Sequence, residues 1–254
     1  TLSAGMLRLC TLVVCLATAS LGVPTTGSTT KAHKVATIGD SWAAFAAHVL
    51  QKTFDHHLAS VAVANNAVPG STASEWAAKK EGLIAAAAGM DFVWLSIGGN
   101  DIMGYYTHDN QSVCFASIER DTRTMLTDLF TAYPKLQIVM FGYDLVNFVH
   151  TTLCIAEAHA IFHDASSQED INKVFLQLDP ILKRLDNDYP NLTYVPLWGT
   201  LQSQPNSGVP GPYPDMLYPS PAKYMGQNDC IHCNDEGWGI LMEQLYQRYF
   251  KSRL

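Results

Sequence analysis

A serine, a histidine and an aspartate stand in this chain at spacings that suit acyl transfer. The serine is Ser41, in Gly39-Asp40-Ser41, directly after a short apolar run and directly before a helical one. A strand running into a helix places such a hydroxyl at the C-terminal edge of a sheet, where ligands of open α/β folds bind. It also sits at a helix N-terminus, where free N–H groups and the positive dipole end favour nearby negative charge. Towards the other end of the chain, Asp229 and His232 are three residues apart, so one loop can present an imidazole to a serine while its own carboxylate holds the ring's second nitrogen. Singly these signals are weak. A serine after Asp more often caps a helix, and a lone histidine is more often a surface residue.

Two further turns carry groups that stabilise an oxyanion. Gly98-Gly99-Asn100-Asp101 follows an apolar run, and its Asn100 amide can donate to an oxygen acquiring charge, while Asn65-Asn66-Ala67-Val68-Pro69-Gly70 follows another and offers the Gly70 N–H. The plain alternative for both is a turn that needs Gly and Asn. Other arrangements were weighed against this one. His159 and His163 lie four apart on a helical stretch beside Asp164, but no third metal ligand stands at a useful spacing. Asp229, Cys230, His232 and Cys233 can be drawn as a zinc cluster, yet four ligands in so short a stretch do not easily reach a tetrahedron. His56 and His57 read as a solvated loop pair. Tyr105, Tyr106, Tyr213, Tyr218 and Tyr224 either line an acyl or sugar subsite or simply pack their loops.

These residues need a scaffold, and the hydrophobic pattern supplies one. Short apolar runs at residues 34–38, 60–64, 92–97, 137–141 and 192–196 alternate with amphipathic stretches at 43–53, 73–88, 116–132, 168–188 and 237–249. That alternation predicts β-α-β units: a three-layer α/β/α fold around a central, mainly parallel five-stranded sheet. Residues 102–113 and 202–227 have neither period, and loops of that length commonly serve binding or cover a site. There is no internal repeat and no linker between two cores.

With 254 residues, 48% hydrophobic and 15% charged, the chain can bury one full core. Its formal charge of −7 and the absence of a basic run exclude a nucleic-acid backbone as partner. Residues 1–30 read as a secretory signal peptide and tail, with Met6-Leu7-Arg8 as the positive start, an apolar stretch from Leu9 to Ala17 and Ala17-Thr18-Ala19 as a cleavage signal. Residues 31–254 are then one catalytic domain, secreted, monomeric and without a stable membrane span. An exported chain retains Cys114, Cys154, Cys230 and Cys233, and the C-x-x-C spacing favours Cys230 with Cys233 and Cys114 with Cys154.

The four blocks around Ser41, Gly70, Asn100 and Asp229-x-x-His232, in this order and each after the expected element, resemble the SGNH or GDSL hydrolases over residues 34–252. The resemblance implies the flavodoxin-like fold of that family and an esterase or lipase that needs no cofactor and no metal. It implies Ser41 as nucleophile, His232 as base and Asp229 as its orienting partner, with oxyanion donors at the Ser41 N–H, Gly70 N–H and Asn100 amide. The implied substrate is a small-molecule, lipid or acylated-sugar ester, and Asp40 would hold local structure. Two departures from the family pattern, Trp42 after the serine and Cys233 after the histidine, bear on pocket width and loop stiffness.

Overall fold

The computed structural model describes residues 32–105, 110–162, 167–209, 211, 214–215 and 217–254. The five apolar runs become strands β1 (His33–Gly39), β2 (Val61–Asn65), β3 (Phe92–Ser96), β4 (Gln137–Met140) and β5 (Leu192–Tyr194). All four pairings are parallel, and the spatial order is β2-β1-β3-β4-β5. β3 is buried along its whole length, as expected of a parallel strand covered on both faces.

Nine helices connect and flank the described strands: α1 (Ser41–His56), α2 (Ala73–Ala78), α3 (Lys80–Ala86), α4 (Gly99–Tyr105), α5 (Gln111–Ala132), α6 (Thr152–Ile161), α7 (Gln168–Leu176), α8 (Leu178–Asp188) and α9 (Asp235–Arg248). α1 packs against α9, whereas α5 packs against α2, α3, α4 and α8. Right-handed crossovers put the first pair on one face of the sheet and the second group on the other, which completes the three layers. This order reverses direction between β1 and β3. Chain ends diverge there, and the crevice they leave is where doubly wound sheets hold ligands.

Several boundaries differ from the pattern-based reading, for local reasons. The single helix expected at 168–188 is two, meeting at Gln177. Pro180 lacks the N–H that would bond the Leu176 carbonyl, and its ring crowds that carbonyl. The helix expected at 73–88 breaks at Lys79 (φ −108°, ψ 49°). The irregular stretch expected at 102–113 carries the end of α4 and the start of α5. Of the expected solvated pair His56 is exposed, while His57 is half-buried: its ring stacks on Tyr246 at 3.9 Å and its Nε2 meets Glu243 at 2.9 Å.

The cysteine pairing also differs. Cys154 bonds Cys230 across 76 residues, with Cα atoms 5.4 Å apart, and Cys114 and Cys233 are buried free thiols. Sequence proximity misleads here because the two buried cysteines of the 230–233 turn pack against different helices. Cys233 lies in the core beside Gly237 of α9, while Cys230, equally buried, bonds across to Cys154 of α6. Cys114 sits on α5 and donates to the Asp101 carbonyl at 3.6 Å. Burial raises its thiol to about 11.

The signal-peptide reading falls on residues outside the described ones, as do His163, Asp164, Tyr106 and Tyr213, and the Tyr105 side chain. Among the described residues no helix is long and apolar enough to cross a membrane, and no group of three or more His, Cys, Asp or Glu is placed to hold a metal ion.

Candidate active site

The site starts at the end of β1. Gly39 has φ +118°, and a Cβ there would lie 1.8 Å from the Ser96 carbonyl oxygen of β3, so only glycine lets the two strands run side by side to this point. Asp40 follows as the N-cap of α1, accepting from the Trp42 N–H at 3.0 Å. That cap leaves Ser41 as the first residue of the helix, where its N–H has no intrahelical acceptor.

Sequence-distant groups converge on the Ser41 hydroxyl. Ser41 Oγ lies 2.7 Å from His232 Nε2, and His232 Nδ1 lies 2.8 Å from Asp229 Oδ2. The other Asp229 oxygen accepts from the backbone N–H groups of His232 at 2.8 Å and Ile231 at 3.0 Å. Burial pushes the Asp229 carboxyl up, but these hydrogen bonds, led by the one from the His232 ring, outweigh it and hold the group at about 2. The loop that carries both residues is closed at its neck by a Met225–Cys233 bridge and by the Gly226 N–H donating to the His232 carbonyl at 2.9 Å. Asn234 then caps α9, accepting from Gly237 N–H at 3.0 Å. Phe45 of α1 lies edge-on to the His232 ring, 4.9 Å between centroids.

The two turns expected to donate to an oxyanion meet each other. Asn100, in the first turn of α4, donates through Nδ2 to the Ser71 carbonyl at 3.0 Å. Ser71 Oγ donates to the Gly39 carbonyl at 2.9 Å, and the Val68 N–H donates to the same carbonyl at 2.8 Å. Gly70, between Val68 and Ser71, is therefore held against the turn that carries Ser41. An Asn amide has two N–H donors, so one is spent on orientation and one remains. Asp101 stands behind, accepting from the Ala73 N–H at 2.9 Å, and burial raises its carboxyl.

A serine, an imidazole and an ionised carboxylate lie in line, an arrangement able to attack a carbonyl carbon. The GDSL-like lipase/acylhydrolase family model matches residues 24–237. The chain belongs to this family. Membership makes it a carboxylic ester hydrolase, and the fold agrees. A Streptococcus pneumoniae protein described provisionally as a platelet activating factor matches at TM-score 0.60 and 18% identity, over 87% of this chain and 86% of its own. A carbohydrate esterase family 3 protein of Talaromyces cellulolyticus matches at 0.56 and 13%, over 87% and 97%. An acetylxylan esterase of Geobacillus stearothermophilus, solved as a catalytic mutant, matches at 0.52 and 15%, over 85% and 93%. No curated protein sequence matches the chain.

One departure of this GDSL-like hydrolase from the family pattern resolves differently from expectation. Trp42 does not narrow a pocket: it is buried among Phe141, Tyr143 and Trp238, with the Tyr143 and Trp238 rings at 5.1 and 4.9 Å. Of the aromatic residues singled out as subsite candidates, Tyr224 is buried and Tyr218 is exposed.

Asp40 holds local structure as expected, capping α1, whereas its partners Tyr143 and Ser96, and Ser71 beside Gly70, carry no signal in the sequence. The Asp40 carboxylate, fully buried, accepts from Ser96 Oγ at 3.3 Å and from the Tyr143 hydroxyl. Burial raises Asp40 to about 6, against the lowering pull of those donors, the Trp42 N–H and the His232 charge. The Asp next to Ser41 was a visible signal. Nothing in the sequence around Tyr143 links it to Asp40, since that contact spans 103 positions.

Proposed function

We propose that this chain hydrolyses carboxylic esters through a Ser41–His232–Asp229 triad and a covalent acyl-enzyme. The observation that carries the reading is the continuous relay from Ser41 Oγ to His232 Nε2 at 2.7 Å and from His232 Nδ1 to Asp229 Oδ2 at 2.8 Å. With Asp229 ionised, the Nδ1 proton stays on the ring and Nε2 is left free to accept from Ser41. Ser41 Oγ attacks the carbonyl carbon as His232 takes its proton. The developing oxyanion is held by the Ser41 N–H, the Gly70 N–H and the second Asn100 N–H. His232 returns the proton to the departing alcohol, then draws one from water, which attacks the acyl-serine and releases the acid.

The alcohol part is read as a polyol. The carbohydrate and acetylxylan esterase neighbours carry that inclination. An O-acetylated saccharide is thus the favoured substrate, ahead of a phospholipid or a long-chain ester, and an inactive binding protein of the same fold is the remaining alternative. Secretion after signal cleavage is part of the proposal, supported by the Cys154–Cys230 bond, which persists in oxidising compartments.

A panel running from acetylated sugars through short to long acyl esters, with Ser41→Ala as control, tests the reading. Turnover led by sugar acetates and lost in Ser41→Ala is expected. Wild-type protein inert on every ester, with its fold intact, overturns the hydrolytic reading, and preference for long acyl chains overturns the polyol reading.

A further inference from the structure

We infer that Tyr143, a residue outside the triad and the oxyanion donors, is a positioning residue that locks the turn carrying Ser41 to the turn carrying Asn100. The inference rests on the triad reading above. Tyr143 lies just beyond β4, is fully buried and reaches across the switch point between β1 and β3. Its hydroxyl accepts from the Gly99 N–H at 2.7 Å. A phenol has one hydrogen, and Gly99 brings its own, so the Tyr143 proton goes to Asp40 Oδ2, the partner on its other side.

Both ends of that bridge matter to the reaction. Asp40 caps α1 through Oδ1 and so fixes the backbone of Ser41. Gly99 opens α4, and the next residue is Asn100. One hydroxyl therefore sets the distance between the attacking oxygen and the amide that receives the oxyanion. The fit is closed on every side. A Cβ on Gly99 would lie 2.8 Å from the Tyr143 hydroxyl oxygen, and the Tyr143 ring is held edge-on by Trp42 at 5.1 Å. Without the hydroxyl, a buried N–H and a buried carboxylate oxygen both lose their partner, and the two turns lose their common anchor.

The charged and titratable groups facing this bridge are few. Asp40 is faced by His232 from the C-terminal loop and by Tyr143, with the neutral Ser96 hydroxyl from β3, while Tyr143 also feels Asp101 of α4. The Tyr143 hydrogen bond favours the ionised form of Asp40, so its removal raises the pH at which Asp40 takes up a proton.

Kinetics of Tyr143→Phe on the best ester of the panel, beside Ser41→Ala, test the inference. Because misplacement by about 1 Å costs on the order of a hundredfold, kcat should fall roughly ten to a hundredfold with KM little changed. The acid limb of kcat should move to higher pH. Unchanged kcat, or a loss of activity that merely follows a lower melting temperature with the acid limb unmoved, overturns it. Should Tyr143→Phe not fold, 3-fluorotyrosine placed at position 143 keeps the bridge and reports on it. Its fluorine resonance should move as pH falls through the acid limb, and a resonance that stays fixed overturns the inference. Full activity in Ser41→Ala would instead strike down the triad reading itself.

Discussion

At Ser41, the decisive quantity is not the serine's own chemistry but the ionisation of a carboxylate two contacts away. Asp229 stays charged down to about 2, because the hydrogen bonds from His232 and Ile231 that it accepts in the folded protein outweigh the cost of burying it. Replacing it by Asn keeps the shape and removes the charge that holds the imidazole tautomer. Turnover should then fall on the order of ten thousandfold with little change in melting temperature, as steady-state kinetics and thermal denaturation would record. On the proposed mechanism Asn100→Ala removes one oxyanion donor, so its kcat should drop roughly a hundred to a thousandfold. A fluorophosphonate should modify Ser41 alone, as peptide mass mapping would show, since a base-activated serine reacts where ordinary serines do not.

Elements decide how well those residues meet. The disulfide is the clearest case, because Cys154–Cys230 ties α6 to the stretch between Asp229 and His232. It closes a span of 76 residues, and the chain-entropy model gives such a closure ~4 to 5 kcal/mol at 25 °C. Cys154→Ala with Cys230→Ala should accordingly lower the melting temperature by roughly 10 °C, a loss that a short Cys230–Cys233 ring would not have caused. Calorimetry under non-reducing conditions, beside mass analysis of the intact pairing, checks it. The active-site loop itself keeps its shape through the Met225–Cys233 bridge and the Gly226 to His232 hydrogen bond. The close approach of Gly39 to Ser96 belongs to this scale as well: two parallel strands at their narrowest separation leave no volume for a methyl group.

The whole molecule carries a pH dependence of stability set by carboxyls of opposite sign. Asp40 and Asp144 are fully buried, and burial raises each to about 6 even though backbone and side-chain donors pull the other way. A raised carboxyl binds its proton more tightly in the fold than in the unfolded chain. Its contribution is complete below the unfolded value of 3.8 and is lost as pH rises through about 6. Asp229 runs the opposite way, contributing above 3.8 and losing that contribution only as pH falls through about 2. Melting temperature should therefore decline as pH rises from about 4 to about 7. Asp144→Asn should melt lower throughout, since its carboxylate accepts from the backbone N–H groups of Leu145, Gly199 and Leu201, and should show a shallower decline. A slope unaffected by that substitution would assign the pH dependence elsewhere.

Local physics sufficed for the order of elements: short apolar runs and amphipathic helical stretches alternate, and Gly-Asp-Ser, Gly-Gly-Asn-Asp and Asp-x-x-His each occur where a strand or loop must end. Those signals depend on neighbours a few residues apart, so the three residues that the fold brings into one hydrogen-bonded line, Ser41, His232 and Asp229, could be picked out from local spacing. Contacts between distant positions could not. Cys230 found Cys154, 76 residues away, rather than Cys233 because the fold packs Cys230 against α6 and Cys233 against α9. Trp42 went to the core, and not to a pocket, because α1 packs that face against Trp238 of α9. Tyr143 reached Asp40 only because parallel strands bring the ends of β1, β3 and β4 side by side, a proximity that register creates and that no spacing along the chain records.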